Sequence, residues 1–176
     1  MKAVLTLYTK LFLFTGILFG LLMLLSYLLV GEGFDFKHVI LRAAYFGVFM
    51  SFVLGTFHIG RIVMKGAGKL TSDNLSVRHK EQIQSGLDFQ KLLNAIKTDP
   101  VLNKMEIQQG ENMVTLKSGL NWFSWGERIL INVKAAHNSL TTYEISSEPV
   151  LKTTLVDYGK NLENINRIEK ILNTRS

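Results

Sequence analysis

The chain opens with two long apolar runs, and the remainder alternates short apolar and polar stretches. Leu11–Val30 (LFLFTGILFGLLMLLSYLLV) carries no charged side chain over twenty residues. At 1.5 Å rise per residue such a helix spans roughly 30 Å, the thickness of a hydrocarbon core. A second run, Ala43–Met64, is apolar through Phe57. His58 and Arg61 lie near its C-terminal end, where a long cationic side chain can snorkel to the interface. The connection Gly31–Lys37 is short and polar, as a tight hairpin needs. The pattern predicts a hairpin of two transmembrane helices over residues 1–64. A cleaved signal peptide competes for the first run, because Lys2 and Lys10 form a plausible n-region. The run is long for that role, and no A-x-A-like site follows it.

Beyond residue 75 the periods are shorter. Leu75–Ile83 alternates loosely and reads as a first strand. Phe89, Leu92, Leu93 and Ile96 predict a helix over Asp88–Lys97, ended by Asp99-Pro100. Lys104–Gln109 and Met113–Lys117 flank Gly110-Glu111-Asn112, a hairpin signature. Arg128–Ala135 and Ser139–Ser147 read as two further strands, turning at Ala136-His137-Asn138. Asn161–Asn173 carries Leu162, Ile165, Ile168, Ile171 and Leu172 on one helical stripe. The expected architecture for 75–176 is a small α+β domain, an antiparallel sheet with two helices on one face.

Small residues recur at four-residue spacing in both apolar runs. Gly16 and Gly20 form G-x-x-x-G in the first, and Ala43, Gly47, Ser51 and Gly55 line up in the second. Positions four apart share a helix face, and small side chains there let two backbones approach closely. They are the expected helix-packing residues.

Charge adds an orientation. The net charge is +6, yet residues 81–176 balance eleven basic against eleven acidic side chains. The excess borders the apolar runs: Lys2 and Lys10 before the first, and Arg61, Lys65, Lys69, Arg78 and Lys80 after the second. By the positive-inside rule the N-terminus and the domain face inward and the hairpin loop faces outward. For a bacterial protein this is the inner (cytoplasmic) membrane, with both termini cytoplasmic. A domain without basic surplus argues against a nucleic-acid partner. The linker 65–74 is basic and glycine-containing, suited to anionic headgroups. Its string GAGKLT fails as a phosphate loop, because Leu70 follows the lysine and Val63 stands where the first glycine belongs.

Two segments in the domain are singled out. Asn121-Trp122-Phe123-Ser124-Trp125-Gly126 holds both tryptophans, so Trp122, Phe123 and Trp125 are candidate interface residues, with a core-plugging loop as the plain alternative. Asp157-Tyr158-Gly159-Lys160-Asn161 precedes the last helix. Asn161 is expected as its N-cap, Gly159 as a positive-φ position, and Asp157 as an acceptor for turn N–H groups.

The tail resembles a bacterial domain-of-unknown-function family, number 1499. An alternating strand ends in a serine-containing run (Thr142–Ser147), and D-x-G-x-N then opens a closing helix through Leu172. The arginines usual around the serine run in that family are replaced here by Glu148 and Pro149. The resemblance implies a domain of unknown role and supports the α+β layout.

No chemistry stands out. His38, His58, His79 and His137 are scattered, without metal-ligand spacing. The absence of cysteine excludes disulfides and thiolate metal sites. No G-x-S-x-G elbow and no dinucleotide fingerprint occurs. The expectation is therefore no cofactor and no recognisable nucleophile, base or metal set. It favours a membrane-anchored binding or regulatory module whose partners are the lipid bilayer and another protein or further copies of itself. The alternative is a component of a small oligomeric channel or transport complex.

Overall fold

A computed structural model describes the chain except for residues 32, 34, 66–67, 121–124, 138–139 and 175–176. It divides into two compact units, Met1–Leu75 and Ser76–Ser176.

The first unit is the hairpin. Helix α1 runs Lys2–Val30 and α2 runs Phe36–Met64, each long and apolar enough to cross a membrane. Both extend beyond the apolar runs, because Lys2, Lys10, Lys37 and Arg42 are good helix formers that continue the i→i−4 ladder. Helix α1 stops at Gly31, whose φ of 75° only glycine adopts cheaply. Helix α2 starts at Asp35, whose carboxylate accepts the Lys37 N–H at 2.8 Å. Large apolar side chains cover the outward surface: Leu21, Leu29, Phe49 and Phe52 are all exposed. Only a narrow seam is buried, Leu7, Leu11, Thr15 and Gly16 on α1 against Val39, Gly47, Ser51, Gly55, His58 and Ile62 on α2.

The second unit is the α+β domain. Strand β1 (His79–Ser85) leads to α3 (Phe89–Thr98) and a short 3-10 turn (Leu102–Lys104). Strands β2 (Glu106–Gln109), β3 (Met113–Lys117), β4 (Glu127–His137) and β5 (Leu140–Pro149) follow, and α4 (Lys160–Thr174) closes the chain. The five strands form one antiparallel sheet in the order β1-β5-β4-β3-β2. The segment with α3 therefore carries the chain from one sheet edge to the other.

One sheet face is covered. Val114, Leu116, Ile129, Ile131, Tyr143 and Ile145 point inward by the two-residue period and join side chains of α3 and α4 in a single core. Leu92, Leu93 and Ile96 come from α3, and Ile165, Ile168 and Leu172 from α4. Tyr143 is completely buried, and its hydroxyl donates to the Leu87 carbonyl at 2.7 Å, so its polar end is satisfied. The opposite face carries polar residues, among them Lys80 and Lys134, which both pair with Glu144. Lys134 is the extra residue of a β-bulge between Val133 and Ala135.

Three local expectations differ from the structure. The first strand begins at His79 rather than Leu75, because Leu75 is buried with the hairpin unit. Its carbonyl accepts from His58 Nε2 at 3.3 Å. The strand expected to end at Ala135 continues to His137, since Ala136 and His137 still pair with Thr141 and Leu140. The connector is also more structured than its glycines suggest: Asn74 Nδ2 donates to the Lys69 carbonyl at 2.7 Å, and the Leu75 N–H donates to Thr71.

Candidate functional site

The small-residue stripe lies in the hairpin seam. A Cβ on Gly47 would stand 2.9 Å from the Phe12 carbonyl oxygen and 3.2 Å from Gly16 Cα. A Cβ on Gly16 would meet the Ala43 carbonyl at 3.1 Å, and one on Gly20 would meet the Ala43 side chain at 3.3 Å. At Gly55 the Tyr8 ring takes the space, 2.7 Å from an added Cβ, and its hydroxyl shares a 2.9 Å hydrogen bond with Thr56. Ser51 is buried and donates to the Val48 carbonyl of its own helix at 2.9 Å. Gly16, Gly20, Ala43, Gly47, Ser51 and Gly55 thus share one interface, where backbones replace side chains as the packing surface.

Further members of the seam, on both helices, are not among the packing residues the sequence singles out. His58 and Ile62 continue the seam of α2, and both are completely buried. The signal was present, because 47, 51, 55, 58 and 62 keep a helical period. The sequence places His58 near a membrane interface, whereas its ring is completely buried and lies 3.3 Å from the Leu75 carbonyl oxygen. Along the loop-side half of the hairpin an open apolar groove of about 350 Å³ is lined by Phe12, Gly16, Gly20, Val39, Ala43 and Ala44.

The seam also sets the stagger of the helices. Gly20 is level with Ala43, and Tyr8 with Gly55. Arg42 is therefore level with the middle of the run Leu11–Val30, and Lys10 with the middle of Ala43–Met64. Both side chains are exposed. The two apolar runs are offset, and each is interrupted opposite its centre by the partner helix's cation.

The turn before α4 brings together Asp157, Gly159 and Asn161, as the sequence suggests, but distributes their roles differently. Asn161 sits inside the first turn of α4 and is not its N-cap. The capping acceptor is Asp157: Oδ1 accepts the Gly159 N–H at 3.1 Å, and Oδ2 accepts the Asn161 N–H and Nδ2 at 2.8 Å each. Tyr158 and Gly159 are both left-handed, with φ of 54° and 72°, which turns the chain back so that a carboxylate outside the helix reaches its orphan donors. The Asn161 side chain is freed to bridge. Its Oδ1 accepts from Ser147 Oγ at 2.6 Å, and Asn164 Nδ2 donates to the same hydroxyl at 3.2 Å. Asp157, Asn161 and Ser147 are fully buried, so this cluster presents no free polar atom of theirs to a ligand. Ser147 and Asn164 were not singled out in sequence, because only the strand-to-helix packing brings them to the turn.

A second buried carboxylate occupies the same end of the sheet. Glu127 accepts through Oε2 from Ser118 Oγ, and its own N–H donates back to that hydroxyl at 2.8 Å. No group of three or more His, Cys, Asp or Glu that could hold a metal occurs among the described residues.

Of the tryptophan segment, Trp122 and Phe123 lie outside the described residues. Trp125 is 63% exposed and excluded from the core. Comparison with protein-family models, with curated proteins and with solved structures gave no match.

Proposed function

We propose that this protein is a two-pass integral membrane module that holds its α+β domain at the inner membrane surface, where it serves a binding or regulatory role. The carrying observation is the surface of the hairpin. Two 29-residue helices expose leucine and phenylalanine nearly all round and bury only a seam of small residues and their neighbours. A helix pair with that much outward apolar surface needs lipid or protein as its solvent. The basic residues beside the N-terminus and after α2 support an inward orientation of both termini, which for a bacterial chain is the cytoplasm.

The polar residues of the helices support a module over a channel. Thr6, Thr9, Thr15 and Ser51 each donate to a carbonyl one turn earlier in their own helix, and Tyr8 and Thr56 satisfy each other. The described groove is lined by apolar side chains, unlike the wall of an ion path.

Membrane fractionation with an alkaline wash, followed by mild-detergent purification and sizing, tests this reading. Retention in the washed membrane together with a stoichiometric partner supports it. Release by alkali overturns the anchoring, and a ring-sized homo-oligomer that conducts ions replaces the module with the channel.

A further inference from the structure

One end of the sheet gathers apolar tips and cations that the core does not use. The register places the start of β1, the end of β3, the start of β4 and the end of β5 together there. The loops leaving these strands converge. The Ser118 N–H donates to the Glu127 carbonyl, and the Val150 N–H donates to the Gly126 carbonyl, both at 2.9 Å. Gly126, with φ of 89°, has the Ser118 carbonyl 2.8 Å from where a Cβ would stand. One or two residues outward from these contacts stand Leu120, Trp125 and Leu151, exposed by 73%, 63% and 45%. No polar partner is needed by the leucines, and burying all three would remove apolar surface from water.

The rim of this end is basic. Arg78, Lys117, Arg128 and Lys152 are exposed around it, and Arg78 Nη2 donates to the Lys152 carbonyl at 3.2 Å, fixing that loop to the start of β1. Lys117 and Arg128 are directly opposite each other in the β3–β4 register. Like charges in that position repel and favour an external anion. The acidic neighbours in the same cross-strand row are Glu106, opposite Lys117, and Glu148, which is opposite Arg128 and lies 3.8 Å from Arg78, so the surplus at this end comes from Arg78 and Lys152. Residues 81–176 are neutral in sum, but exposed cations outnumber exposed acids at this end of the domain. Residues 76–78 alone connect Leu75 to β1, a tether of about 14 Å at full extension.

We propose that this end of the sheet docks on anionic lipid headgroups, with Leu120, Trp125 and Leu151 entering the interface and Arg78, Lys117, Arg128 and Lys152 pairing with phosphates. The proposal rests on the membrane-anchored reading above. Aromatic and leucine tips ringed by cations suit a surface that is apolar below and anionic above.

The hairpin contains no tryptophan, so indole emission from the full chain reports the domain alone. A Trp122→Phe variant makes Trp125 the sole reporter. It is reconstituted into vesicles of phosphatidylcholine with phosphatidylglycerol, and separately into phosphatidylcholine alone, each containing lipids brominated on the acyl chains. The expected result is strong quenching of Trp125 in the anionic vesicles and weaker quenching in the neutral ones. Lys117→Gln and Arg128→Gln should each weaken docking about fivefold, reducing the quenching toward the neutral-vesicle level without moving the melting temperature. Unquenched emission in both vesicles, from protein that resists an alkaline wash, overturns the docking and leaves the anchoring intact. A blue shift that grows with the protein-to-lipid ratio, without quenching, overturns it in favour of a second copy covering the patch. Loss of the protein from washed vesicles overturns the anchoring itself, and the docking with it.

Discussion

The Ser147 hydroxyl donates a 2.6 Å hydrogen bond to Oδ1 of Asn161, tying the last strand of the sheet to the first turn of the last helix. Asn161 passes the connection to Asp157 through its Nδ2, and Asn164 meets Ser147 from the next turn. Buried polar groups joined in this way are costly to break singly, because each deletion strands its partners away from water. Asp157→Asn places a donor among donors. It should destabilise the domain by on the order of 1–3 kcal/mol, and Ser147→Ala by a similar amount. Gly159→Val should cost at least about 1 kcal/mol through its left-handed backbone. Urea unfolding followed by tryptophan emission measures all three. An Asp157→Asn variant of unchanged stability that loses a partner would instead make the turn a recognition site.

The glycines of the hairpin seam are not equivalent to those outside it. Gly47→Leu and Gly55→Leu must push the Phe12 backbone and the Tyr8 ring aside, and each should weaken the hairpin by about 1–3 kcal/mol. Gly60, on the same helix, has nothing within 4 Å of an added Cβ, so Gly60→Leu should be neutral. Denaturant titration in detergent compares the three, and equal behaviour would dissolve the distinction.

The stagger of the helices makes Arg42 a sensitive position. Its cation stands level with the middle of the α1 apolar run and must extend its long stem to reach an interface. Arg42→Lys keeps that reach and should insert normally. Arg42→Asp cannot snorkel, and insertion should become less favourable by up to about 1 kcal/mol. The inserted fraction in a translocation assay reads the difference, and equal insertion would place Arg42 in water.

Orientation is testable because the chain has no cysteine of its own. A Ser176→Cys variant should react with a membrane-impermeant maleimide only after the cells are opened, and Gly33→Cys should react in intact cells. The reverse pattern would invert the topology.

Asp99 gives the domain an acid-sensitive contact. Burial pushes its carboxyl up, but the N–H groups of Leu102 and Val101 and the Arg167 guanidinium outweigh that and hold it below the ordinary value of 3.8. A carboxylate depressed in the folded state contributes stability above its unfolded pKa and loses it as pH falls through the folded one. The stability gap between wild type and Asp99→Asn should therefore be full at neutral pH and shrink below pH 3.8. A gap independent of pH would assign the contact to shape rather than charge.

The hairpin, the order of the later elements and the two-residue alternation of β3 and β5 were legible in the sequence because each is a local pattern. Unbroken apolar length, helical spacing and turn residues act over a few positions and need no distant partner. Tertiary structure alone decided that Arg42 is level with the middle of the first apolar run rather than outside it, since helix stagger follows from which glycines meet which backbones. It likewise decided that Asp157 caps α4 while Asn161 bridges to Ser147, and that Leu120, Trp125 and Leu151 share one end of the sheet. These relations join residues far apart along the chain. They depend on register and on left-handed turns, whose energies are set by packing across the whole domain and not by any short stretch of residues.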